Sequence, residues 1–244
     1  MRFTNKICLV TGGTSGIGQA ACLRLGAEGG QVVALGRDKA DGAETVRLIT
    51  EAGGNAVFMA CDLAKPKAIE ATVQKVLAKF DRIDVLVCDA AMMTFDPLVK
   101  LDLDQWDMLM RVNLRSLAQL TQLCLPHMPK GSAIVAVSSV HAHQTTANVV
   151  PYATSKGGME AFVRGMSLEL NFRQTRINAV APGAVDTPML WSNPNVKSGK
   201  EKIDKATVGR PDELAAAIAF LASDDASFVH GTTLAVDGGR LAQL

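Results

Sequence analysis

The sequence predicts an α/β fold, a single domain over residues 1–244 with a doubly wound sheet of about seven parallel strands and helices on both faces. Three observations predict it. Short β-rich runs alternate with segments of helical period from end to end. The runs are continuously apolar rather than alternating, as parallel strands covered on both faces are. No internal repeat and no low-complexity linker divides the chain.

Taken in order, "KICLV" (6–10) is the first strand, followed by a helix through "IGQAACLRLGAEG". "QVVAL" (31–35) and "AVFMA" (56–60) are the next two, each leading into a helix. In "PKAIEATVQKVLAKF" the apolar residues Ile69, Val73, Val76, Leu77 and Phe80 fall on one helical face. "IDVLVC" (83–88), "AIVAVS" (133–138), "RINAVA" (176–181) and "TTLAVD" (232–237) complete the strands. Helical spacing returns at Met159, Phe162, Val163, Met166 and Leu170. The segment "WSNPNVKSGKEKIDK" (191–205) has neither period and is polar and lysine-rich; with Met189 and Leu190 it is read as a lid over residues 189–205.

Composition narrows the function. With 48% apolar residues the 244-residue chain has enough material for one large core, and disorder is excluded. A net charge of +1, with both signs scattered, gives no reason to expect a nucleic-acid partner. The five cysteines are far apart and form no C-x-x-C, which fits buried, reduced thiols. No apolar run approaches the ~18 residues of a membrane span. The expectation is a soluble cytoplasmic protein with a small-molecule substrate.

The stretch "LVTGGTSGIG" places Gly12, Gly16 and Gly18 between the first strand and the first helix. Glycines there allow a tight turn, close approach of backbone to a pyrophosphate and close helix–strand packing. The second strand ends "VVALGRD", with Gly36 where an acid would bind a ribose 2′-hydroxyl and Arg37 next to it. A guanidinium matches a 2′-phosphate, so NADP(H) is favoured. A one-residue shift would instead put Asp38 at the ribose, leaving NAD(H) possible, and a merely solvated Arg37 is the plain alternative.

Tyr152 is the single tyrosine of the chain, and Lys156 follows it one helical turn later. An ammonium about 4 Å from a tyrosinate is worth up to ~4 kcal/mol at an effective dielectric near 20, or at most ~3 pK units. On that reading the phenol moves toward neutrality and serves as a general acid and base. Ser138 and Ser139 end the fifth strand, where hydroxyls meet a ligand crevice.

Together these motifs resemble the short-chain dehydrogenase/reductase family over essentially the whole chain. The resemblance rests on T-G-x-x-x-G-I-G (11–18), "CDL" (61–63), Asn113 in "RVNLRS", Ser139 thirteen residues before Y-x-x-x-K, "APGAVDTPM" (181–189) and "GTTLAVDGG" (231–239). It implies a Rossmann fold, commonly tetrameric, with Asn113, Ser139, Tyr152 and Lys156 as catalytic tetrad and Asn113 supporting a water-linked proton relay. It implies dinucleotide binding by Gly12, Thr14, Ser15, Gly16, Ile17 and Gly18, with Asp62 and Leu63 flanking the adenine. Ala90, Lys156, Gly183, Val185 and Thr187 would meet the nicotinamide half, beside Tyr152. Met92, His141, His143, Gln144, Met189 and Trp191 are expected to wall a partly apolar substrate pocket. His141-x-His143 lacks a third ligand, so no metal is expected.

One departure stands out: where the family shows N-N-A-G, this chain has Cys88, Asp89, Ala90 and Ala91. The implied activity is hydride transfer between NADP(H) and a ketone or secondary alcohol. A sugar or polyol dehydrogenase and a 3-oxoacyl-thioester reductase are alternatives within the family. A non-catalytic dinucleotide sensor has no need of Ser139, Tyr152 and Lys156 together.

Overall fold

A computed structural model describes residues 1–200 and 202–242. Seven parallel strands form one sheet in the order β3-β2-β1-β4-β5-β6-β7. They are β1 (Ile7–Thr11), β2 (Gln31–Gly36), β3 (Asn55–Ala60), β4 (Val85–Cys88), β5 (Ser132–Val137), β6 (Thr175–Pro182) and β7 (Thr233–Val236). Every strand read from the sequence is present.

Strand alternation divides the core in two. Cys8, Val10, Val32 and Ala34 face one side, where they meet α1 (Gly16–Ala27), α2 (Lys39–Glu51) and α9 (Pro211–Ala222) through Cys22, Leu25, Ile49, Leu214 and Ile218. Leu9, Val33, Leu35 and Leu86 face the other, against α3 (Pro66–Phe80), α5 (Ser116–Cys124) and α6 (Val150–Glu169). The expected face of α3 is the one used: Ile69, Val73 and Val76 are buried. All five cysteines are buried and unpaired.

Coverage on both faces holds for the central strands and fails at the edges. β3 and β7 are only partly buried, because an edge strand has no neighbour beyond it. No helix among the described residues is long and apolar enough to cross a membrane.

Two local features bear on the site. Between α4 (Leu103–Met110) and α5 the chain winds as a π-helix over Arg111–Arg115, with Asn113 at its centre. Such single-turn widenings interrupt regular side-chain spacing and recur at functional sites. The segment read as a lid contains two short helices, α7 (Pro188–Ser192) and α8 (Pro194–Lys197). Each starts on a proline, whose fixed φ suits the first helical position. Each is capped, Thr187 Oγ1 accepting from the Leu190 amide and Asn193 Oδ1 from that of Asn195. The caps and prolines carry the helical signal that periodicity lacks; Glu201, within the lid range, lies outside the described residues.

After β1 the chain builds outward through β2 and β3, then returns to place β4 on the other side of β1. At this reversal the connections leave in opposite directions and open a crevice at the strands' carboxyl ends.

Candidate active site

A cavity of about 690 Å³ occupies that crevice. At its phosphate end the glycine loop is shaped by conformation and by space. Gly12 and Gly16 hold positive φ (69° and 54°), which disfavours any side chain. A Cβ on Gly12 would stand 2.9 Å from the Ala90 amide nitrogen. Gly18 has ordinary backbone angles, but a Cβ there would lie 2.3 Å from the Gly12 carbonyl oxygen and 2.6 Å from Asp89 Oδ2. Gly18 therefore serves packing and does not line the cavity, while Gly12, Thr14, Ser15, Gly16 and Ile17 do. Ser15 starts α1 without a side-chain cap, and the first turn carries no acid. The amides at this helix end have no cap from Ser15 or from an acid of their own turn, although that of Gly18 serves the Asp89 carboxylate.

The adjacent wall holds Gly36, Arg37, Asp62 and Leu63. A Cβ on Gly36 would meet Thr14 Cγ2 at 2.3 Å, so no acidic side chain fits there without displacing Thr14. Asp38 caps α2, its carboxylate accepting from the Ala40 and Asp41 amides at 2.8 and 3.0 Å. Arg37 is exposed and lines the cavity. Asp62 is turned to its own loop, accepting from the Ala64 amide at 3.1 Å and pairing with Lys65 at 3.3 Å.

The opposite end brings Ser139, Tyr152 and Lys156 together. Proline in the first turn of α6 and the packing of Met159 and Val163 on the sheet fix this helix, so Tyr152 and Lys156 project as one pair. Tyr152 is 7% exposed and Lys156 1%. The Lys156 ammonium donates to the Val137 carbonyl at 2.6 Å and lies 5.5 Å from the Tyr152 ring centre. Burial, not the lysine, dominates the tyrosine: it pushes the phenol up to about 12, with a hydrogen bond from Ser139 opposing. The downward shift expected from sequence is thus reversed, because the ammonium is held at the main chain and the phenol is desolvated. Burial likewise pulls Lys156 down to about 8, while the charge of Asp89 holds it up.

Asn113 is buried and stands outside the cavity wall. Its Oδ1 accepts from the Met92 amide at 2.8 Å, and its Nδ2 donates to the Met92 carbonyl and to Ser155 Oγ at 2.9 and 3.0 Å. Ser155 Oγ in turn donates to the Tyr152 carbonyl at 2.7 Å. The side chain thus clamps the loop after β4 to α6 beneath the tyrosine, rather than offering a free group to a relay.

Ser138 lines the cavity too, but its hydroxyl is engaged by the fold, donating to Glu160 Oε1 at 2.8 Å. His143 Nε2 meets the other oxygen of that carboxylate at 2.9 Å. The two histidines therefore part company: His143 braces α6, while His141 lines the cavity with its ring 5.7 Å from that of Tyr152. Gln144 is exposed, and Trp191 donates to Asp186 Oδ1 at 2.6 Å. His143, Gln144 and Trp191 are thus not pocket walls; the expected pocket residues in the lining are Met92, His141 and Met189. Ala90, Gly183, Val185 and Thr187 also line it. Sequence reasoning missed Met108, Arg111 and Val112, whose offsets of three and four from Met108 mark one helical face toward the cavity.

Asp89 replaces an amide-bearing residue at a crowded place. A Cβ on either Gly12 or Gly18 would run into its Oδ2, at 2.9 and 2.6 Å. Burial pushes its carboxyl up to about 7, with Lys156 and the Gly18 amide pulling down.

Known proteins are similar to this chain over nearly its whole length. A family model described as Enoyl-(Acyl carrier protein) reductase matches residues 12–240. The chain is 37% identical over 244 residues to 3beta-hydroxysteroid dehydrogenase 1 of Eggerthella lenta, covering 96% of this chain and 93% of that protein. It is 38% identical over 248 residues to cis-4-hydroxycyclohexanecarboxylate dehydrogenase of Sinomonas cyclohexanicum, covering 98% of each. A short chain dehydrogenase from Burkholderia cenocepacia, solved in complex with NADP, superposes with a TM-score of 0.90 at 29% identity, covering 98% of each chain. With its all-parallel sheet, its glycine loop and the cluster of Ser139, Tyr152 and Lys156, the chain belongs to the short-chain dehydrogenase/reductase family of oxidoreductases.

Proposed function

We propose that this protein transfers a hydride between NADP(H) and an alicyclic ketone or secondary alcohol, with Tyr152 as general acid and base. The observation that carries this reading is one cavity with a glycine cradle at one end and Ser139, Tyr152 and Lys156 at the other.

The residues fit a dinucleotide: the approach of Gly12 to Ala90 leaves backbone where a Cβ would intrude, and the α1 N-terminus, uncapped by Ser15, suits a pyrophosphate. Gly12, Thr14, Ser15, Gly16 and Ile17 would hold the phosphates, Asp62 and Leu63 the adenine, and Ala90, Gly183, Val185 and Thr187 the nicotinamide end. Bound there, the coenzyme supplies the hydride donor or acceptor. Three features support NADP(H) over NAD(H): Arg37 is available to a 2′-phosphate, Gly36 has no room for an acid, and Asp38 is engaged as a cap.

Ser139 donates a hydrogen bond to the substrate oxygen, and Tyr152 gives its proton to that oxygen in reduction or takes it in oxidation. The phenol carries its proton at neutral pH, as the reductive direction requires, and the burial that raises it makes it a weaker acid that gives the proton only to a strongly basic alkoxide. Lys156 stabilises the phenolate in the reverse direction. The alicyclic class is supported by the two relatives named and by the apolar wall of Met92 and Met189. An acyl thioester is the second reading, favoured by the description of the matching family model. A homo-oligomer stays part of the proposal, since Leu168 and Phe228 are 89% and 85% exposed.

The test is a panel of cyclic ketones, cyclic alcohols and a 3-oxoacyl thioester, assayed with NADPH and NADH in wild type and Tyr152→Phe. Cyclic substrates should turn over with NADPH, and the variant should lose at least about a hundredfold in kcat while still binding coenzyme. Activity of the variant within a few-fold of wild type would remove Tyr152 from the mechanism.

A further inference from the structure

The reaction cavity does not end at the tyrosine. Met92, Met93 and Met108 line both it and a second cavity of about 650 Å³. Met92, Met93 and Phe95 also pack into the small apolar cluster that contains Tyr152, so the second space begins at the reacting end of the first. Methionine walls are unbranched and adaptable, and they part for a bulky apolar body at little cost.

The part of the wall that the second cavity does not share with the first carries an unpartnered polar group. Thr94 lines the second cavity, is 6% exposed, and its Oγ1 has no hydrogen-bond partner among the described residues. A buried hydroxyl left unpaired is costly, and native chains rarely keep one without something to complete it. Rotation about χ1 moves this oxygen among staggered positions around a Cβ at the cavity wall. Asp96 and Asp104, both exposed, stand at the same cavity. Their carboxylates oppose an anionic ligand group there and accept from a hydroxyl.

The first cavity would also have to hold the coenzyme, so a substrate longer than its reacting ring needs further space beside Tyr152. We propose that the second cavity receives the distal end of an elongated, multi-ring alcohol or ketone bearing an uncharged hydroxyl. Met92, Met93 and Met108 pack on its body and Thr94 bonds the distal hydroxyl. The proposal rests on the reading of the first cavity as a carbonyl and alcohol site.

The test uses a fused-ring diol, with hydroxyls at opposite ends, and cyclohexanol as its one-ring control. Binding to the coenzyme-saturated protein is followed by calorimetry, and oxidation by coenzyme absorbance, in wild type, Thr94→Val, Thr94→Ser and Gln105→Trp. Thr94→Val should weaken the diol roughly three- to tenfold, as loss of one neutral hydrogen bond does, and Thr94→Ser should restore it. Gln105→Trp, which fills the cavity from an exposed wall position, should weaken the diol more than tenfold while cyclohexanol kcat/KM stays within twofold. Diol binding that is absent, or unchanged in both Thr94→Val and Gln105→Trp, overturns the proposal. Diol binding that responds to these variants without any turnover supports the second cavity and refutes the hydride-transfer reading instead.

Discussion

Replacing Asp89 with asparagine keeps the side chain's shape and removes its charge. The wild-type carboxyl is pushed up to about 7 by burial, whereas an aspartate in an unfolded chain ionises near pH ~3.9. Between those values the native protein holds a proton that the unfolded chain has released. Stability then falls as pH rises, at up to ~1.4 kcal/mol per pH unit, because the unfolded state binds fewer protons. Over the whole window this amounts to roughly 4 kcal/mol as a ceiling, which water entering the site lowers.

The other titratable groups that sense Asp89 are Lys156 and Tyr152 on α6, Cys88 on β4 and Cys22 on α1. The thiols and the phenol stay neutral through this range, since burial raises each of them. Lys156, pulled down to about 8 by burial with Asp89 holding it up, would lose that support in the variant and shed its proton at lower pH. A lysine whose native pKa is depressed makes stability rise with pH above that pKa, so this effect has the same sign. The stability of Asp89→Asn relative to wild type should therefore increase by about 1–4 kcal/mol between pH 5 and pH 8. Urea unfolding of the coenzyme-free proteins across that range measures it, provided the m-values agree. A difference that stays flat or shrinks with pH would refute the buried-carboxyl reasoning.

Three further outcomes are expected. Arg37→Asp should weaken NADPH about ten- to a hundredfold, the worth of a charge-assisted hydrogen bond to phosphate, and fluorescence titration showing equal affinity would mean a solvated arginine. Glu160→Ala strands Ser138 and His143, and the bond to Ser138, within a buried site, should make up most of the roughly 1–3 kcal/mol lost from the unfolding free energy; a midpoint matching wild type would contradict the brace. Residues 189–200 and 202–205 should exchange amide hydrogens quickly in the free protein and more slowly with coenzyme and a substrate analogue, and equal protection in both states would mean a fixed wall.

The parts of this molecule legible in the sequence are those set by neighbours a few residues away. Continuous apolar runs mark the seven strands because each central strand is buried on both faces, and the 3.6-residue spacing of Ile69, Val73 and Val76 marks α3. The glycine loop is legible for the same reason, since its backbone angles at Gly12 and Gly16 are local requirements. Even the stretch after Thr187, which has no helical period, carries local signals, namely a capping residue followed by proline at Thr187–Pro188 and again at Asn193–Pro194.

What stayed hidden depends on distant residues meeting. Nothing near position 143 says that its imidazole will find Glu160 rather than a substrate, because that pairing requires the loop after β5 to fold back over α6. Asn113 is likewise committed to the main chain of Met92 and to Ser155 on α6, partners that no spacing near position 113 announces. The Tyr152 and Lys156 pair shows the limit most plainly. Sequence spacing supplies a pair attraction of up to ~4 kcal/mol, evaluated as if both groups stood free at contact. The fold instead ties the ammonium to the Val137 carbonyl and buries the phenol, so desolvation outweighs attraction and the tyrosine rises to about 12. The same burial lowers the lysine to about 8, so two groups that start nearly level are driven apart. A phenol raised by burial is a weaker acid than an ordinary tyrosine. Its proton is drawn off by the much more basic developing alkoxide, with the help of the lysine one turn away and against the effect of the surrounding core.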